Sequence, residues 1–244
     1  MSTLIRSCSQ LGAALIDPTR AMRDAVERPR AVAIGVTIVT VGALLGVATL
    51  PRQMAVLGEA LQSSNPLVES HYQVLRAGLL RLIWADRLVT SPGLVIAAAF
   101  VVLLAEPMLS LAVERKRVLA SVAVLGLTPM LVQQVGELAV AYLTSLGAHP
   151  TPGDALNLPH GFSTGIKLFW GGLAPPPQWV ELLDDRLNLV TLWSVFLWST
   201  GLGALEGNGV RPVHVGIPLA AMVCAGTLTW IAGPTALALV LGGP

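Results

Sequence analysis

Residues 185–218 read DRLNLVTLWSVFLWSTGLGALEGNGVRPVHVGIP, and this stretch decides the fold. Its central part, 187–205, after the charged pair that opens the stretch, is apolar and ends at Glu206. A helix rises about 1.5 Å per residue, so roughly 20 apolar residues cross the hydrocarbon core of a bilayer. The Gly-Asn-Gly sequence at 207–209 is typical of a tight turn, and Pro212 opens a further apolar run. The pattern predicts one membrane-spanning helix, a short turn and the start of the next helix.

The composition extends this interpretation to the whole chain. Of 244 residues, 54% are hydrophobic and 12% are charged, about half the charged fraction usual for soluble domains. A net charge of +1 argues against a nucleic-acid-binding protein, which needs a concentrated basic face. Cys8 and Cys224 are too few and too far apart for a disulfide framework or a zinc site. The sequence therefore predicts an integral membrane protein in contact with the lipid bilayer, with no nucleic-acid partner, metal or cofactor.

The predicted fold class is an all-α membrane protein with five transmembrane helices and additional interfacial amphipathic helices. A cytoplasmic amphipathic segment, 1–30, precedes a transmembrane domain, 31–244. The predicted spans are about 31–50, 93–113, 118–146, 187–206 and 213–240.

Prolines mark the predicted ends and bends of these spans. Pro51 closes the first span, Pro129 breaks the hydrogen-bond ladder of the third, and Gly233-Pro234 ends or bends the fifth. Long outer segments, 51–92 and 147–186, connect the spans.

Two amphipathic segments are expected at the membrane surface. Pro18–Arg28 is predicted to form a short helix with Asp17 as its N-cap. Residues 67–89 mix apolar and basic side chains with helical period and are expected near the interface. The predicted interfacial anchors are Trp84, Trp170 and Trp179.

The distribution of Lys and Arg predicts the orientation of the chain. Arg115, Lys116 and Arg117 fall together in a short connection between two predicted spans, and such a dense basic hairpin is difficult to translocate. The N-terminus is therefore expected in the cytoplasm and the C-terminus outside, in a bacterial inner membrane.

Three stretches resemble the Yip1 family of membrane proteins in its short bacterial form. They are LIDPTRAMRDAVERPRAV (15–32), TPMLV (128–132) and LNLVTLWSVFLWSTGLGALEGNGVRP (187–212). The resemblance implies a five-span fold and, because some bacterial relatives occur with ABC-type exporters, an accessory role. The outer segments 51–92 and 147–186 are larger than the family pattern. The long cytosolic region that links eukaryotic members to Rab GTPases has no counterpart here, so their trafficking role is not carried over.

Glycines at helical spacing are predicted to pack helices closely. Gly42 and Gly46 are four residues apart, a small-xxx-small spacing that serves packing within the chain or dimerisation. Gly201, Gly203 and Gly207 superficially resemble a dinucleotide-binding fingerprint, but no strand precedes them, so they are also interpreted as packing residues.

Two carboxylates lie inside predicted spans. Each is expected to have a structural or functional role, because a charge at the bilayer centre costs roughly 2.5–3.5 kcal/mol on insertion scales. Glu106, Gln133 and Glu137 are candidates for a proton or ion site. The alternative is that Glu106 is protonated or bonded to a neighbouring backbone group near Pro107, while Glu137 reaches the outer interface. Gln133 and its neighbour Gln134 are expected to satisfy carbonyls freed by the kink or to bond to another helix.

These features predict a non-catalytic accessory or scaffold protein, with other membrane protein subunits as partners and an ABC-type exporter as one possible assembly. The alternative is a small ion- or proton-coupled transporter or channel that uses Glu106 and Glu137. An enzyme would need a site around His149 and His160 in the outer segments, but no catalytic or metal-ligand spacing supports one.

Overall fold

The computed structural model describes residues 2–62, 92–109, 115–144, 188–207 and 209–241. Throughout these residues the secondary structure is helical, which confirms the all-α fold class. The helices are α1 Ser2–Ile16, α2 Pro18–Glu27, α3 Ala31–Gln62, α4 Pro92–Met108, α5 Lys116–Leu125, α6 Thr128–Leu143, α7 Leu189–Glu206 and α8 Pro212–Leu241.

Within the described part of the chain, three helical segments are long and apolar enough to cross a membrane. They are Ala31–Ala60, Lys116–Leu143 and Leu189–Glu206, the second of which joins α5 and α6 across a short break. Val95–Met108 and Pro212–Leu228 are apolar but shorter within the residues considered. The chain is therefore a membrane-associated helical protein.

Helix α7 lies at the centre of the bundle and packs against α2, α5, α6 and α8. It begins where the Asn188 side chain accepts a hydrogen bond from the backbone N–H of Thr191 at 2.8 Å, an N-cap that satisfies one of the free donors of the first turn. It ends at Gly207, whose φ of 73° is the left-handed conformation that glycine adopts without strain. Both ends of α7 agree with the predicted span 187–206.

Helix α3 runs parallel to α5 and α6. A Cβ atom at Gly35 would lie 3.5 Å from Val124. Thirteen residues further along α3, the hydroxyl of Tyr142 donates to the carbonyl oxygen of Ala48 at 3.0 Å. Because both members of these pairs advance together along the sequence, the two helical segments run in the same direction.

Helix α7 runs antiparallel to α5. Trp198 bonds to Ala123, whereas Arg115, at the start of α5, donates to the carbonyl oxygen of Leu205, at the end of α7. The start of α5, the end of α7 and the start of α8 therefore meet at one end of the bundle. We call this the basic end and define it by residues 115–117 and Arg211.

Pro51 does not end a helix as predicted, and at Gly233-Pro234, where an end or a bend was predicted, the structure excludes the end. Helix α3 continues through Pro51 to Gln62, so the segment 51–92 begins as helix and not as a connection. Helix α8 continues past Gly233-Pro234 to Leu241. Proline is tolerated inside apolar helices when neighbouring groups satisfy the freed backbone. The carbonyl that loses its donor at Pro51 is that of Val47, next to the Ala48 carbonyl that accepts from Tyr142.

The third predicted span is interrupted close to the expected position. Helix α5 ends at Leu125, Gly126 and Leu127 form a turn, and α6 begins at Thr128 with Pro129 in its first turn. Helix α4 ends at Met108, with Leu109 in a turn, and so stops short of the predicted boundary at 113.

The N-terminal residues form a helical hairpin that packs on the bundle. The predicted helix from Pro18 is present as α2, and Asp17 caps it by accepting from the backbone N–H of Arg20 at 3.1 Å. Ala21, Met22 and Ala25 are buried, so the apolar face of α2 packs against the bundle. Helix α1 precedes it and was not predicted.

Candidate functional sites

A charged cleft of about 670 Å³ runs between α1 and α2. The apolar sides of the hairpin face the bundle through buried residues such as Leu11 and Met22, so the polar sides of both helices line the cleft. The charged residues that line it are Arg6, Asp17, Arg20, Asp24, Arg28 and Arg30. Four guanidinium groups against two carboxylates make the cleft net positive.

Gln10 connects the two walls of this cleft. Its amide Nε2 donates to Oδ2 of Asp24 at 2.7 Å, and only 4% of the residue is exposed. The other end of the amide, Oε1, is buried and has no hydrogen-bond partner among the described residues. A buried acceptor without a donor costs about 1–3 kcal/mol. The cleft therefore carries positive charge and an unused buried acceptor in one of its walls.

A second polar cluster lies at the basic end, around the turn between α7 and α8. His214 is fully buried, and its Nδ1 accepts a hydrogen bond from the backbone N–H of Arg211 at 3.0 Å. The remaining ring nitrogen, Nε2, then carries the proton and donates to Oε2 of Glu206 at 3.1 Å. The guanidinium of Arg211 lies 3.6 Å from the same carboxylate oxygen. These contacts fix the turn, and His214 was not identified from the sequence.

Glu106 lies at the basic end and forms an ion pair with Lys116 at 2.5 Å. Both side chains are partly exposed, so this contact closes the connection between α4 and α5 at the surface of the bundle. The sequence alternatives did not include this partner, since they placed Glu106 in an ion site or against the backbone near Pro107, whereas the structure pairs it with the side chain of Lys116.

Glu137 lies on α6, far from Glu106. Its Oε1 accepts a hydrogen bond from Nε2 of Gln133, one turn earlier, at 3.2 Å. From Lys116 to Glu137 the chain follows roughly 30 Å of helix path, at about 1.5 Å per residue. The structure brings Gln133 and Glu137 together but does not bring Glu106 to them.

Gln134 faces α3 beside Gly42. A Cβ atom at Gly42 would lie 2.9 Å from Oε1 of Gln134, so glycine at this position makes room for the amide. That oxygen is buried and has no hydrogen-bond partner in the described ranges. Gly42 therefore acts in packing within the chain, one of the two functions predicted for it.

The carbonyls freed by the break before Pro129 are satisfied by groups other than the two glutamines. Pro129 has no N–H to donate to the carbonyl of Leu125, and the hydroxyl of Thr128 donates there instead at 2.6 Å. The carbonyl of Ala123 accepts from Nε1 of Trp198 at 2.8 Å. The expectation that Gln133 and Gln134 serve these carbonyls is not met, because Gln133 bonds to Glu137.

The other predicted packing glycines differ in their surroundings. Gly203 is buried in α7, whereas no heavy atom of the described residues lies within 4 Å of a Cβ at Gly46. Gly207 has no such neighbour either and serves as the left-handed C-cap of α7. The closest approaches occur at Gly126, where a Cβ would overlap the indole of Trp198, and at Gly201, where it would overlap Val122. Gly126 was not predicted.

Several predicted residues lie outside the described residues. They are the interfacial anchors Trp84, Trp170 and Trp179, the segment 67–89, and His149 and His160. Among the residues that the structure does describe, His, Cys, Asp and Glu form no group of three or more that could hold a metal ion.

Comparison of the chain with protein-family models, with curated proteins and with solved structures finds no match.

Proposed function

We propose that this protein is a non-catalytic integral membrane accessory or scaffold protein that assembles with other membrane protein subunits. The observation that carries the proposal is the separation of the two carboxylates. Glu106 is paired with Lys116 at the basic end, and Glu137 is bonded to Gln133 on α6. Each carboxylate has its own local partner, and this supports structural roles over a shared ion pathway.

The proposal includes a five-span arrangement in which α4 and α8 join the three longer segments. The outward face of α3 supports a position against lipid, since its exposed apolar side chains recur every three or four residues. They include Val32, Val36, Val39, Leu44 and Val47. The basic end is placed in the cytoplasm of a bacterial cell, so that residues 115–117 stay on the side where they are synthesised. The resemblance to the Yip1 family adds an ABC-type exporter as the proposed assembly.

The proposal is tested by extracting the tagged protein from native membranes in a gentle detergent and identifying what co-purifies by mass spectrometry. A membrane protein recovered in constant stoichiometry over two chromatographic steps supports the accessory role. Recovery of this chain alone, at its own mass, contradicts it.

The alternative function, an ion- or proton-coupled transporter, makes a separate prediction. The purified protein in liposomes would then carry a proton or cation flux that Glu137→Gln or Glu106→Gln abolishes. Glu59→Gln is the matched control, because Glu59 is an exposed carboxylate on α3 that belongs to neither contact. The accessory proposal predicts no flux above that of empty liposomes for the wild type and all three variants.

A further inference from the structure

We propose that the cleft between α1 and α2 binds a phosphoryl anion that also carries a hydroxyl group. The chemistry is that of a glycerophosphate, which occurs as the headgroup of an anionic lipid and as a free soluble phosphomonoester. This inference concerns a site separate from the contacts that support the accessory function, and it does not depend on that function.

The charge of the cleft favours an anion. The four arginines that line it make no ion pair with any residue in the described part of the chain. The two carboxylates are already engaged, since Asp17 caps α2 and Asp24 accepts from Gln10. Guanidinium groups match the geometry of phosphate and carboxylate oxygens through paired N–H donors, and so favour an oxyanion over a halide. Of these oxyanions, the phosphoryl group is the one that lipid headgroups carry beside a hydroxyl.

The buried amide of Gln10 adds a requirement for a donor. Because its Nε2 is held by Asp24, the amide cannot turn to offer a donor in place of its oxygen. The free Oε1 is a buried acceptor on a residue that lines the cleft, and the other polar groups of the cleft mostly donate. A ligand hydroxyl beside the phosphoryl group would donate a hydrogen bond to this oxygen, whereas a ligand without a donor would leave the oxygen unsatisfied.

The position of the cleft suits a ligand at the membrane surface. Arg28 and Arg30 line it immediately before Ala31, the first residue of α3. The first segment long and apolar enough to cross a membrane starts there, so we expect the cleft to lie near the lipid headgroups. Anionic lipids at a cytoplasmic surface attract basic residues placed in this way.

The test uses the full chain reconstituted in nanodiscs of phosphatidylcholine, with two probes. In one arm, phosphatidylglycerol is added to the bilayer, and its retention on the protein is measured by native mass spectrometry. In the other arm, binding of soluble sn-glycerol 3-phosphate is measured by calorimetry. Binding in the first arm identifies a lipid headgroup as the ligand, and binding in the second identifies a soluble phosphomonoester.

The variants connect either signal to the cleft. Arg6→Gln combined with Arg28→Gln should weaken binding at least tenfold, since both side chains are exposed and line the cleft. Arg23→Gln is the matched control, because Arg23 is an exposed arginine of α2 outside the cleft, and it should change binding less than twofold. Gln10→Leu should remove the preference for phosphatidylglycerol over phosphatidic acid, whose headgroup lacks the glycerol hydroxyls.

Circular dichroism and thermal unfolding of each variant show whether it has kept the fold. Failure of both probes to bind the wild-type protein overturns the proposal. An equal loss of binding in Arg23→Gln and in the double variant also overturns it, because the anion would then be responding to the overall charge of the protein.

Discussion

The indole Nε1 of Trp198 donates a hydrogen bond to the carbonyl oxygen of Ala123 at 2.8 Å. In an unbroken helix this carbonyl would accept from the backbone N–H of Leu127. Leu127 bonds instead to Val124 at 3.1 Å, because the chain tightens at the turn between α5 and α6. The side chain of the central helix α7 therefore satisfies a backbone group that the break leaves free, inside a bundle where little water is available to do so.

Replacing Trp198 by Phe should lower the stability of the protein. The ring still fills the core, but the carbonyl of Ala123 loses its donor, at a cost of about 1 kcal/mol for a hydrogen bond between apolar helices. Unfolding in mixed micelles with increasing sodium dodecyl sulfate measures the change. Trp193→Phe is the control, since Trp193 is on the same helix but exposed. Equal effects of the two substitutions would contradict the assigned role of Trp198.

Gly126→Ala should destabilise the same contact from the opposite side. The added Cβ overlaps the indole of Trp198, so the helices have to move apart, at a cost of about 1–3 kcal/mol. Gly46→Ala should be neutral or stabilising by up to about 1 kcal/mol, since alanine favours helix and the position is open within the described chain. The same micelle titration compares them, and a marked loss at Gly46 would show that another chain packs there.

Thr128 and Pro129 should be energetically coupled. Thr128→Val removes the donor to the carbonyl of Leu125 and should cost about 1 kcal/mol in the wild-type background. In a Pro129→Ala background the new backbone N–H can serve that carbonyl, so the same substitution should cost close to nothing. A double-mutant cycle measures the coupling. Equal costs in the two backgrounds would show that the hydroxyl does not replace the missing N–H.

His214→Phe should destabilise the turn between α7 and α8. It leaves the backbone N–H of Arg211 and the carboxylate of Glu206 without the imidazole, at a cost of about 1–3 kcal/mol. Arg211→Gln keeps the imidazole and loses only a partly exposed contact, so it should cost less than about 1 kcal/mol. Thermal unfolding in detergent distinguishes them, and the reverse order would refute the assignment.

The sequence predicts those features whose signals are local. The limits of α7 follow from the charge-free run that ends at Glu206 and from the glycine at 207, which are signals within or directly beside the helix. The break near Pro129 and the cap at Asp17 follow for the same reason.

Features that depend on distant residues could not be predicted. Trp198 and Ala123 are 75 positions apart, so nothing near either residue indicates that they bond. Pro51 is a strong local signal for a helix end, but α3 continues through it beside α6, whose Tyr142 bonds to Ala48 of α3 from 94 positions away. Gln10 and Asp24, which bond across the cleft, are 14 positions apart on two helices, so nothing near either residue indicates that they meet.

The most direct test of the account measures, in intact bacterial cells, the accessibility to a thiol reagent of the two ends of the segment that α5 and α6 form together. Cys8→Ser and Cys224→Ser first remove two exposed free thiols. In that background, one variant carries a cysteine at Arg117 and another carries a cysteine at Thr144, and both positions are exposed. A membrane-impermeant maleimide should label Thr144→Cys in intact cells, and should label Arg117→Cys only after permeabilisation. Labelling of both positions from the same side, or in the opposite order, would contradict a membrane-spanning segment with the basic end in the cytoplasm.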